Sequence, residues 1–229
     1  MSQTPLIARR SLIASGAALG GAALAAVTAP RWLKPVAAPS QSASVAMRSP
    51  GPLAPVPAQP KITDPIEREA LAALDRVGRR VPHHDRLAIV DFSAPSSKPR
   101  MHVLDVASGR RMDFLVAHGS GSDPAHTGIL QRFSNVPDSN ASSEGAFLTA
   151  DYYVGKHGRS QRLIGLDPTN NNALERAIVV HGAWYANADM IPTHGKLGRS
   201  QGCFAVGERE LAKVFAHLGQ GRMIYSAKV

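Results

Sequence analysis

Cys203 is the only cysteine among 229 residues, and it sits in a glycine-rich turn, Gly198-Arg199-Ser200-Gln201-Gly202-Cys203, just ahead of an apolar run. Upstream, the β-branched run Ile178 to Val180 delivers His181 and Gly182 at what should be a strand end. A thiol is a poor nucleophile until a base within hydrogen-bond reach takes its proton, a third group fixes that base's tautomer, and donors meet the oxyanion. His181 is the candidate base. Gly182 leaves the backbone open, so a main-chain carbonyl there could hold the far ring nitrogen. Gly202 permits an unusual turn, so the amides of Gly202 and Cys203 could converge on an oxyanion, while Ser200 could orient either partner or the substrate.

The elements that must position this pair can be read from the hydrophobic period. Asp64-Pro65 is an N-cap followed by proline at the first helical position, and Ile66, Ala70, Leu71, Leu74 and Val77 recur at helical spacing, which predicts a helix over about 65–79. From Leu87 the period shortens. Leu87 to Phe92, Met101 to Val106 and Met112 to Ala117 predict an antiparallel meander. A polar loop follows from His118 to Asn140, then strands near Ser143 to Thr149, Arg162 to Leu166 and Ile178, a helix over about 208–218, and a closing strand near Met223. The fold class expected for residues 64–229 is mostly β with a few helices, sandwich- or barrel-like.

Ahead of that domain the composition changes. The first sixty residues hold Arg9, Arg10, Arg31, Lys34 and Arg48 and no acid, more than half of the formal net charge of +9. The high pI therefore describes the leader more than a nucleic-acid-binding face, and no basic stripe interleaved with aromatics appears. Arg9-Arg10 before the weakly apolar run Ala14 to Val27 reads as a twin-arginine export signal over residues 1–29. Residues 30–63, with Pro50, Pro52, Pro55, Pro57 and Pro60 closely spaced, read as an extended linker. Export would place the domain in the periplasm, an oxidising compartment where a lone cysteine has no partner in its own chain. It is then either buried and inert or kept for its chemistry, and its glycine-rich flanks favour the second.

The order H-G, a loop, then S-x-G-C resembles the L,D-transpeptidase catalytic domain of bacterial cell-wall enzymes, the YkuD-like family. His118-Gly-Ser-Gly-Ser, S-x-G-x-F-x-T from Ser143, G-K-H-G from Gly155, N-N-N-A from Asn170 and G-R-S-x-G-C from Gly198 are similar to a divergent murein branch, and the resemblance covers Leu87 to Val229. It implies Cys203 as nucleophile, His181 as general base oriented by the Gly182 carbonyl, and Ser200, Gln201 and Gly202 in the oxyanion and substrate pocket. The better-known branch has histidine where this chain has Gln201, and commonly arginine where it has Ala205, which leaves Arg199 or Lys196 to bind a substrate carboxylate. The implied reaction is attack on a peptidoglycan tetrapeptide stem with loss of D-alanine, and transfer of the thioester to an amine, giving a crosslink, or to water. Carbapenems would acylate Cys203, and a wall-linked lipoprotein is a further implied partner. The same implication covers carboxypeptidase or amidase action, and a non-catalytic peptidoglycan-binding module is the rival of another class.

No cofactor is called for. His118 and His126 could be imagined as metal ligands with His181, but no tight ligand spacing with an acid accompanies them, so no metal site is expected. His157 and His194 lie in glycine-flanked loops and could line the cleft or face solvent, with solvent the preferred reading. Papain-like enzymes place cysteine before histidine, the reverse of the order here.

Overall fold

The computed structural model describes residues 64–229; the export-signal reading of 1–29 and the linker reading of 30–63 lie outside the described residues. Helix α1 spans Pro65–Val77, and the Asp64 side chain accepts from the Ile66 amide at 3.2 Å. That carboxylate satisfies one of the donors a helix start leaves free. The helix stops two residues before the expected end and tightens into a 3-10 turn over Gly78–Arg80. Its buried stripe, Ile66, Ala70, Ala73, Leu74 and Val77, lies on one face of the sheet against Leu87, Ile89, Ala146 and Met223.

The sheet has nine strands: β1 Arg86–Asp91, β2 Met101–Asp105, β3 Arg111–Phe114, β4 Val116–Ala117, β5 Gly145–Gly155, β6 Gly158–Gly165, β7 Val179–Gly182, β8 Phe204–Val206 and β9 Met223–Ala227. Their spatial order is β3-β2-β1-β9-β5-β6-β7-β8-β4. The strands β1 and β9, and β7 and β8, pair in parallel, and the other neighbours antiparallel. Because successive side chains alternate faces, β1 buries Leu87 and Ile89 under α1 and turns Ala88 and Val90 into the main core with Phe92, Phe147, Phe204 and Ile224. The expected mostly β, barrel-like class is the observed one.

How the sheet curls is visible at one residue. The run Met112 to Ala117, expected as one strand, is split at Leu115, with β3 on one edge of the order and β4 on the other. A single intervening residue spans only a few ångströms, so the sheet must bend until its two edges adjoin. The fully buried Arg100 guanidinium closes this join, donating to the Val116 carbonyl through Nε (2.9 Å) and Nη2 (2.8 Å) and to the Ala94 carbonyl through Nη1 (3.0 Å). It replaces the ladder bonds that a continuous strand would have supplied.

Two further boundaries differ from the sequence reading. Strand β5 runs past Thr149 through a bulge to Gly155, and Gln161 Nε2 donates to the Ala150 carbonyl at the irregularity (3.2 Å). Strand β6 begins at Gly158 rather than near Arg162, because Gly155 pairs with Gly158 and makes a tight hairpin. Helix α2, Met190–His194, is a short addition, and α3 is confined to Leu211–Leu218.

Candidate active site

Strands β7 and β8 lie side by side in parallel register, Val180 opposite Phe204 and His181 opposite Ala205. Val180 and Phe204 enter the main core. Alternation then sends His181 to the other face, and it shares a cleft there with Val179 and Cys203. The cleft is about 420 Å³ and is also lined by Tyr153, Lys156, His157, Arg176, Tyr185 and Arg199. Among the described residues that line it, none is acidic.

His181 is buried, and its Nδ1 lies 3.0 Å from the Gly182 carbonyl oxygen. A carbonyl can only accept, so Nδ1 carries the hydrogen and Nε2 keeps its lone pair. Burial lowers the ring's pKa, the Gly182 bond opposes this, and His157 and Lys156 lower it further. The imidazole is therefore neutral near pH 7, in the tautomer a base needs. Cys203 is half-buried and directs its Sγ–H at the Ala177 carbonyl, 3.6 Å away. Burial pushes its thiol pKa up, against the Val179 backbone and the charges of Arg176 and Lys156. Ala177 itself holds φ at +52°, a strained conformation for a residue with a Cβ.

The cysteine turn is strapped down from below. Ser200 N donates to the His118 carbonyl (2.9 Å), and Ser120 N donates to the Ser200 carbonyl (2.8 Å). Gly202 holds φ at +109°, and a Cβ there would lie 2.7 Å from the Ala141 oxygen and 2.9 Å from Ile178 Cδ1. Only glycine fits. Ser200 Oγ donates to the Cys203 carbonyl (2.7 Å) and accepts from the Gly202 amide (3.1 Å). This corrects one expectation and leaves another standing. The Gly202 amide is taken by Ser200 rather than directed at an oxyanion, while Ser200 lines the same cleft as His181 and Cys203 with its hydroxyl bonded to the Cys203 carbonyl.

Of the two residues proposed to bind a carboxylate, Arg199 lines the cleft while donating to the Asp123 and Pro124 carbonyls. Lys196 does not reach it. Its stem packs on Gly128, in a neighbouring hollow with His126, Trp184 and His194. Gln201 is exposed at the cleft rim. Ala205 is buried opposite His181 in the strand pairing, in an apolar cluster with Ala117, Ala183, Ala186 and Leu197.

His118 is built into the scaffold. Arg100 Nη2 donates to its Nδ1 (2.8 Å), which requires the hydrogen on Nε2, and Nε2 faces Asp123 Oδ2 at 3.3 Å. His126 Nε2 meets the Leu197 carbonyl at 3.0 Å. Among the described residues no group of three potential ligands converges as a metal site would.

Of the two readings of His157, cleft or solvent, the first holds: its ring is in the cleft, stacked on His181. Arg176 was passed over altogether. It is half-buried beneath the cysteine turn and donates to the Ser134 and Ala141 carbonyls (2.8 and 2.6 Å) and to Ser143 Oγ (2.6 Å). One arginine in the loop after Asn170-Asn171-Asn172 carries no signal of that role in sequence. Its only hint is its place two residues before the Ile178 strand.

Several solved structures resemble the chain at low identity. An L,D-transpeptidase from Mycobacterium smegmatis matches at 12% identity and TM-score 0.39, covering 62% of this chain and 58% of that one. L,D-transpeptidase 3 from Mycobacterium tuberculosis, solved with a faropenem-derived adduct, matches at 11% and 0.40, covering 63% and 60%. The enzyme from Xylanimonas cellulosilytica matches at 16% and 0.38, covering 69% of each chain. The chain thus spans less than two thirds of the mycobacterial structures. No curated protein matches the sequence. The sequence family described as L,D-transpeptidase catalytic domain matches residues 58–226, most of the chain and all of the elements described above but the last residue of β9, and the protein belongs to that family.

Proposed function

We propose that this protein is an exported, peptidoglycan-modifying cysteine acyltransferase in which Cys203 is the nucleophile and His181 its base. The observation that carries the reading is the neutral His181, its Nδ1 hydrogen held by the Gly182 carbonyl, in one acid-free cleft with the only thiol of the chain. His181 Nε2 takes the thiol proton as sulfur attacks the carbonyl of the third residue of a tetrapeptide stem. The tetrahedral adduct collapses with cleavage of the amide bond, and the terminal D-alanine leaves with the proton returned by His181. The thioester is then aminolysed by a second stem, forming an amide crosslink and freeing the thiol, or hydrolysed by water to the tripeptide acid. Arg176, Lys156 and Arg199 give the cleft a positive character suited to the thiolate and to the carboxylates of a wall peptide. The twin-arginine reading of residues 1–29 supports delivery to the periplasm.

The test is incubation of the purified chain with disaccharide tetrapeptide and mass analysis of the products. D-alanine loss with dimers supports transpeptidation; loss without dimers, carboxypeptidase action. Release of a peptide from a wall-linked lipoprotein would indicate amidase action. A carbapenem adduct of one per chain that vanishes in Cys203→Ala supports the nucleophile. Wall-peptide binding with neither adduct nor turnover would leave a non-catalytic module and overturn the proposal.

A further inference from the structure

The β5–β6 hairpin ends in a two-residue tip, Lys156-His157, between the paired Gly155 and Gly158. From Val154 to Arg159 this tip is exposed. The ring of His157 nevertheless lies flat on that of His181, with centroids 4.3 Å apart and planes 22° apart. The two residues come from different parts of the sheet, since β6 separates β5 from β7 in the strand order. Among the described residues the imidazole of His181 has one hydrogen bond, from Nδ1 to the carbonyl of the residue that follows it. A single bond to so near a neighbour fixes the tautomer and one edge, but leaves the ring able to pivot about that edge.

We propose that His157 is a positioning residue for His181, its ring at the hairpin tip covering the face of the imidazole and holding the plane in which Nε2 is offered to the Cys203 cleft. This rests on the reading of His181 as the base of Cys203. The other titratable or charged groups around the two rings are Tyr153, Lys156, Arg176, Tyr185, Arg199 and Cys203. None of them is a carboxylate, and only the Gly182 carbonyl favours a proton on the His181 ring. Burial lowers the pKa of both histidines, with Lys156 lowering each further, so the stack is one of two neutral rings at neutral pH. Removing the covering ring readmits water to one face of His181 and frees its pivot. Both changes act on the base alone.

The experiment is the rate of Cys203 alkylation by iodoacetamide in the full chain, followed by intact mass from about pH 5 to 9, across the range where such a base titrates. The variants are His157→Ala, His157→Phe, His181→Ala and the double alanine. His157→Ala should lower the plateau rate by roughly tenfold and move the acid limb to higher pH, as expected when a base loses its alignment and its cover. His157→Phe, which restores a flat ring, should bring the plateau back to within about twofold. In the His181→Ala background, His157→Ala should have no further effect, because coupled residues are non-additive. A wild-type profile for His157→Ala, or an undiminished loss in the His181→Ala background, would overturn the proposal while leaving the Cys203–His181 pair standing. An unchanged rate in His181→Ala itself would instead remove the pair, and the role of His157 with it.

Discussion

At Cys203 two requirements oppose each other. Burial favours the protonated thiol, which is weakly nucleophilic, while Arg176 and Lys156 favour the thiolate. In the proposed mechanism the thiol keeps its proton at rest and yields it to His181, a base already in the correct tautomer. The pH dependence follows with a definite sign. His181 acts only when neutral, and its pKa lies below the ordinary 6.5 because burial opposes the charged ring. Acylation of Cys203 should therefore be lost as pH falls through the lowered pKa, with the acid limb centred below 6.5. A stopped-flow profile with a carbapenem checks this, and an acid limb centred above 6.5 would contradict it. Arg176 allows a second test. Arg176→Met removes the donor of the Ala141 carbonyl, leaves the Ser134 carbonyl with the Ser143 hydroxyl alone, and removes a charge beside the thiol. Leaving such a carbonyl unpaired costs about 1–3 kcal/mol when it is buried, and less where water can enter. The variant should unfold at lower urea and show a slower Cys203 alkylation at every pH, whereas an unchanged alkylation rate would confine Arg176 to a structural role.

The cysteine turn is where sequence and structure speak most closely to each other. Its residue types mark a site because glycine and a lone cysteine are so restricted in what they do, and because β7 and β8 are apolar enough to be read as strands. What the sequence does not show is which donors the turn consumes internally. Ser200 and the Gly202 amide bond to each other inside the turn, a fact of three-dimensional closure rather than of residue type. The roles of His157 and Arg176 are illegible in sequence for a related reason. Each lies in a turn with no periodicity, and each reaches the site only because β5–β6 and the loop before β7 end beside β8. The strictness of the turn is testable. Gly202→Ala would place a methyl 2.7 Å from the Ala141 oxygen at a φ of +109°. A conformation that only glycine adopts costs an alanine about 1–3 kcal/mol, before the clash is counted. Chemical denaturation should show at least that loss, and the displaced sulfur should acylate more slowly in the fraction that remains folded. Wild-type stability would mean the turn relaxes, and with it the claim that its geometry is fixed.

Closure of the whole sheet depends on charge buried where charge is rarely found. Sequence reading assigns an arginine to the surface, so Arg100 at the join of β3 and β4 could not be anticipated, nor could the break at Leu115 within an alternating run. The join is held through Arg100, His118 and Asp123, in that order. Because Arg100 can only donate, His118 must present a bare Nδ1, and a proton there would set two donors against each other in a buried place. Burial, and then the Arg100 charge, accordingly hold the His118 pKa at about 4, against 6.5 when the ring is free. Between those values the unfolded chain binds the proton and the folded chain does not, so stability is full above pH 6.5 and falls as pH drops towards 4. The difference corresponds to roughly 3 kcal/mol, since each pKa unit is about 1.4 kcal/mol. Urea midpoints measured from neutral pH down to about 4 should trace this loss. In His118→Asn, which retains an acceptor for Arg100 but cannot gain a proton, the midpoint should start lower and vary less with pH over that window. The same slope in the variant would locate the acid-sensitive group elsewhere and separate closure of the barrel from the state of His118.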